Sequence, residues 1–225
     1  MTSNGESPNF HGEERAPPPT LLDVFGVLAP PAGAHGVGEG VFGFLTTCNA
    51  RALRLVSRMC RGDVAAARWL DAETRITGSL AMWRACFPGA RAANVAKMRW
   101  HLKDADFVHL AGVKVLHMGG CIGITDAGLA HLTGIHTLDM SGCYNITGAG
   151  LAHLTGIHTL DINGCPWVTD ACLTHLTGIH TLDMSWCTGI TAAGLPHLSN
   201  IRQLTMFGCA PALIATARSL GLPVL

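Results

Sequence analysis

Nine cysteines and twelve histidines among 225 residues are the side chains from which metal binding, thiol chemistry or proton transfer could be built. Five of the cysteines, Cys121, Cys143, Cys165, Cys187 and Cys209, lie 22 residues apart. Two histidine columns repeat at the same interval, His131, His153, His175 and His197, then His136, His158 and His180. Zinc needs four ligands that converge from short spacings, and the chain has no C-x-x-C. The two histidine columns sit at opposite ends of a helix-to-strand connection, so they do not share a helix face. GVGEG at Gly36–Gly40 lacks the lysine and hydroxyl of a phosphate loop, and neither a nucleophile elbow nor H-E-x-x-H occurs. The expectation is a chain that is not an enzyme, with no metal and no cofactor. Its thiols would form a free, buried ladder whose parallel side chains disfavour disulfides. Its stacked histidines would repel one another on charging near about pH 6.5.

A third column carries charge. Asp139, Asp161 and Asp183 are again 22 apart, on a face shared with Thr137, Ser141, Thr159, Asn163, Thr181 and Ser185. Carboxylates on neighbouring strands about 4.8 Å apart are unfavourable unless a cation matches them. Two readings follow: an acidic stripe for a basic ligand, or a solvated face neutralised by Lys114, Arg202 or the histidines. The repeats otherwise differ mainly beside the cysteine, at Tyr144, Asn145, Pro166, Trp167, Trp186 and Phe207. Aromatics on loops of a stacked scaffold are where recognition energy concentrates, which makes Tyr144, Trp167, Trp186 and Phe207 candidate protein contacts. The competing reading has Trp167 and Trp186 cover the edge of the cysteine ladder.

The elements that position these columns follow from the period itself. Leu116, Leu138, Leu160, Leu182 and Leu204 recur every 22 residues, and TGIHTLD occurs three times. In Ile135–Gly156 the alternation L-D-M-S predicts a short strand with Leu138 and Met140 on one side and Thr137, Asp139 and Ser141 on the other. Thr125, Thr147, Thr169 and Thr191 stand where helix N-caps belong, and Leu151 and Leu154 share a helical face. This unit resembles the leucine-rich repeat, with Ile135, Leu138, Met140 and Cys143 on its L-x-x-L-x-L-x-x-N/C pattern. Cysteine at the last place is similar to the cysteine-containing subclass, which is often joined to an F-box. The resemblance implies an α/β leucine-rich-repeat solenoid over 104–225, with five short parallel strands on the concave face and helices on the convex face. A degenerate entry unit surrounds Phe107 and Leu110. The final LGLPVL has no obvious polar cap, so that end is expected to be open.

Charged residues are 13% and apolar ones 48%, enough for a sizeable core, and stacked apolar rows explain the scarcity of charge. No run of 18 apolar residues suggests a membrane span. The start lacks a secretory signal, so the expected setting is reducing, cytoplasmic or nuclear. Net charge divides as −4 over 1–40, +8 over 41–103 and −4 over 104–225. Residues 1–20 read as a disordered tail and 21–75 as a small all-α segment with apolar Leu53, Val56, Cys60 and Val64 at helical spacing. That segment resembles the F-box through Val41, Phe42, Leu45, Leu53, Leu55, Val56 and Arg58, with Trp69 near its later tryptophan. Leu21–Leu28 is an alternative first helix. Residues 76–103 read as a helical bridge and N-terminal cap, with Leu80, Trp83 and Phe87 on one helix face before Pro88-Gly89. The resemblance implies a substrate receptor of a cullin-based (SCF-type) ubiquitin ligase, docked on a Skp-type adaptor and holding a protein substrate on its repeats. The basic middle carries no nucleic-acid motif, and neither nucleic acid nor membrane is expected as a partner.

Overall fold

The structure, a computed structural model, describes residues 75–225. Within them the period becomes a six-stranded parallel sheet in chain order: β1 (Ala92–Asn94), β2 (Val115–His117), β3 (Thr137–Asp139), β4 (Thr159–Asp161), β5 (Thr181–Asp183) and β6 (Gln203–Thr205). Leu116, Leu138, Leu160, Leu182 and Leu204 are partners in one register, so the sequence period is the interstrand step. Each strand is three residues long because the chain turns soon after it, at a glycine with positive φ such as Gly142 (64°) or Gly164 (68°).

The second half of each unit is barely a helix. One α turn, α2 (Asp126–Leu129), α3 (Gly148–Leu151) or α4 (Asp170–Leu173), passes into a three-residue 3₁₀ turn such as Ala130–Leu132. Three of the four expected caps act alike, the hydroxyls of Thr125, Thr147 and Thr191 accepting the N–H two residues on at 3.2–3.4 Å, while Thr169 instead pairs with Cys172 Sγ. In the last of these units Pro196 lies at the start of the turn, which is 3₁₀ throughout (Leu195–Leu198).

Stacking these units makes an α/β repeat solenoid whose core is a set of rows. Met118, Met140, Ile162, Met184 and Met206 run beside the leucine row, and Leu129, Leu151, Leu173 and Leu195 face them from the helical side, all buried in one cluster. Phe107 and Leu110 are buried as the entry unit, on a 3₁₀ segment (Asp104–Leu110).

Two features depart from the sequence reading. The segment 76–103 does hold a helix, α1 (Leu80–Cys86), with Leu80, Trp83 and Phe87 buried as spaced. It then enters the sheet as β1, so there are six strands where five were expected. The strand escapes the period because Ala93 stands in place of the leucine and pairs with Leu116 one residue beyond the 22-residue step. The final end is also not open. In α5 (Pro211–Ser219) Leu213 and Ala217 are buried, and the chain doubles back so that Leu204 N–H donates to the Pro223 carbonyl (3.1 Å) and Leu225 N–H to that of Leu204 (2.9 Å). The other outer strand is paired as well, Ile76 N–H donating to the Asn94 carbonyl at 2.8 Å.

Candidate binding surface

Each aspartate of the strand column ends its strand by an Asx turn. Asp139, Asp161 and Asp183 accept the N–H of Ser141 (3.1 Å), Asn163 (2.8 Å) and Ser185 (2.8 Å) through Oδ1. Asn94 serves β1 in the same way, accepting from Ala96 N–H at 3.2 Å. The three carboxylates occupy adjacent register positions, and burial followed by the charges of Asp139 and Asp183 holds Asp161 above the usual carboxylate range, against the lowering effect of the Asn163 N–H. His117 lies 3.5 Å from Asp139 Oδ2. Lys114 and Arg202, expected as neutralising partners, are elsewhere: they extend the His136–His158–His180 column at the other end of the strands, and Lys114 Nζ donates to the Gly134 carbonyl at 2.6 Å.

That histidine column is stacked, His136 on His158 at 4.0 Å and 10°, and His158 against His180 at 4.8 Å and 63°. Partial burial, then the charges of Arg202 and of the neighbouring rings, hold His180 below its usual range. The cysteines form the expected ladder of buried, free thiols. What the sequence did not reveal is where they point. Cys143, Cys165, Cys187 and Cys209 each donate to a carbonyl of the preceding unit, those of Met118, Met140, Ile162 and Met184, at 3.1–3.4 Å. Burial first pushes Cys165 up to about 11, against the lowering N–H of Cys143 and with the charge of Asp161, and Cys121 and Cys187 up to about 12, with the charge of Asp139 behind Cys121 and the neighbouring thiols behind Cys187. Such thiols are not nucleophiles near neutral pH. Among the described residues no group of three or more His, Cys, Asp or Glu is placed to hold a metal, and no helix is long and apolar enough to cross a membrane.

A second set of aspartates, on the helical side, links successive units. Asp126 accepts Thr147 N–H (2.8 Å) and Oγ1–H (2.7 Å), and Asp104 and Asp170 do the same for Thr125 and Thr191. Glycine must follow one unit later, since a Cβ at Gly128, Gly150 or Gly194 would lie 2.5–2.7 Å from the incoming carboxylate. The remaining pair inverts the arrangement: Gly148 replaces the aspartate and Cys172 the glycine, and Cys172 Sγ itself takes Thr169 N–H at 3.1 Å. Asp-x₂₀-Thr with a glycine three residues further on was the available signal.

The aromatic candidates are on the surface. Tyr144, Trp167, Trp186 and Phe207 are 54–66% exposed. Trp186 adopts φ +60°, at the position where the other units place Gly120, Gly142, Gly164 and Gly208, all with positive φ. A side chain in that region costs about 1–2 kcal/mol. Its indole lies against Gly208, which has no Cβ to obstruct it. Beside it Phe207 N–H donates to Ser185 Oγ at 3.0 Å, and Trp186 N–H to the Phe207 carbonyl at 2.8 Å. Ser185 is therefore 1% exposed and is a brace within the loop, which removes it from the candidate contacts. Thr137, Ser141, Thr159, Asn163 and Thr181 lie half-buried along the strand face beside Asp139, Asp161 and Asp183. The adaptor candidates Val41, Phe42, Leu45, Leu53, Leu55, Val56 and Arg58 lie outside the described residues.

No protein-family model matches the chain. No curated protein matches it either. Among solved structures it is similar to one in a crystal structure of a complex of Rad7 and Elc1 in yeast, at 13% identity and a TM-score of 0.47. That match covers 66% of this chain and 51% of the other, so the chain spans about half the length of the protein it matches.

Proposed function

We propose that the chain is a non-enzymatic receptor of the F-box and cysteine-containing leucine-rich-repeat kind, the substrate-recognition subunit of a cullin-based ubiquitin ligase. The observation that carries the binding role is the row of exposed aromatics, Tyr144, Trp167, Trp186 and Phe207, on loops that leave a rigid parallel sheet. Large apolar side chains held out to solvent by a scaffold of this kind suit a protein partner. The adaptor role rests on the sequence at Phe42, Leu45, Leu53, Leu55, Val56 and Arg58. Such a receptor acts by raising the local concentration of substrate beside the catalytic partner.

Co-expression with a Skp-type adaptor, followed by size-exclusion chromatography, tests the ligase role. The expected outcome is coelution with the wild-type chain and its loss in the Phe42→Ala, Leu45→Ala double variant. A well-folded wild-type chain that elutes without the adaptor removes the ligase role and leaves a repeat scaffold for protein binding.

A further inference from the structure

The loop pair at the ends of β5 and β6 brings together two kinds of group. β5 ends at Asp183, whose Asx turn leads straight into Trp186, and Phe207 is tied to the same turn through Ser185. Trp186 and Phe207 are adjacent exposed aromatics, 63% and 66% accessible. The remaining units place glycine where Trp186 stands, so an unstrained residue for this turn is available within the same chain. The strand that leads into them ends in a carboxylate, Asp183, and Asp161 holds the adjacent register position on β4. Among the described residues no cation lies within ion-pair distance of Asp161 or Asp183.

Resting on the reading of the chain as a protein-binding receptor, we propose that Trp186 and Phe207, with Asp183 at the end of the strand leading into Trp186 and Asp161 one strand further on, bind an arginine or lysine side chain of an extended peptide segment. The aromatic faces take the cation and the stem of the side chain, and the carboxylates supply its counter-charge. Asp161 and Asp183, neighbours in register without a cation, gain most from one because they repel each other without it. An acidic segment would meet the same row with like charge.

The probe is a fluorescently labelled octapeptide of alternating arginine and glycine, titrated into the full chain and followed by anisotropy. A glutamate–glycine octapeptide is run beside it. Trp186→Gly is the main variant, since glycine suits the left-handed turn; its melting temperature should rise by about 2–4 °C. Its affinity for the arginine peptide should fall by about tenfold or more. Asp183→Asn keeps the Oδ1 acceptor for Ser185 N–H and should also weaken binding. Arginine-peptide binding unchanged in Trp186→Gly, or absent from the wild-type chain, overturns the site. Equal binding of the glutamate peptide, lost in Trp186→Gly, overturns the basic occupant and leaves the protein-binding reading standing. Adaptor coelution of the same Trp186→Gly preparation tests that reading separately.

Discussion

Cys165 shows what a residue of the cysteine column contributes, because its Sγ donates to the Met140 carbonyl at 3.3 Å while burial keeps the thiol protonated up to about 11. In the unfolded chain the same thiol ionises near the ordinary 9.0. Below that value both states hold the proton and the stabilisation is complete. Between 9 and about 11 the folded state binds more protons, so stability falls as pH rises through this window. Below pH 9 Cys165→Ala lowers stability, but it also removes one titrating thiol. Urea midpoints measured from pH 8 to 11 should therefore fall less steeply in the variant, by up to about 1.4 kcal/mol per pH unit above pH 9. An unchanged slope would place Cys165 in contact with solvent. The cysteine period was readable from the sequence, whereas the bond to the preceding unit was not, since spacing alone does not say which way a thiol points. The positive φ of Trp186 was readable in principle by setting it against Gly142, Gly164 and Gly208.

Between elements, the helical turns of four residues are too short to be stable alone, and their positions are fixed by the unit before them. The aspartate–threonine link does this, joining a charged acceptor to both a backbone and a side-chain donor. It went unread because one of its four positions is exchanged, Gly148 with Cys172, which breaks the column by eye. The exchange makes a test of coupling. Gly148→Asp alone drives a side chain into Cys172 Sγ and should destabilise the protein. Cys172→Gly alone leaves Thr169 without its sulfur partner and should also destabilise. Together they rebuild the arrangement of the neighbouring units, in which the new carboxylate meets no sulfur and is free to accept from Thr169. Chemical denaturation of all four proteins should give a coupling energy of about 1–3 kcal/mol in favour of the pair. Additive losses would mean that the link carries no energy between units.

At the scale of the whole described chain, every strand pairs only with its sequence neighbours, so the energy of the fold is a chain of nearest-neighbour terms. The 22-residue period disclosed this architecture, but it hid both ends. Ala93 replaces the marker leucine at one, and the return of Leu222–Leu225 onto β6 at the other has no counterpart in the period. The consequence of position in such a chain differs between Leu160 and Leu222. Leu160 is 1% exposed between two leucine neighbours, and Leu160→Ala should cost about 2–5 kcal/mol. That loss is felt on both sides, so amide hydrogen exchange should accelerate across β2 to β6 together. Leu222 belongs to the closing segment, where it is 9% exposed. Leu222→Ala should speed exchange at the Leu204 and Leu225 amides, which that segment orders, while the amides of β3 keep their protection. Equal acceleration in β3 and β6 on changing Leu222 would mean that the solenoid opens only as one unit, and the closing segment would then hold the stability of the whole sheet.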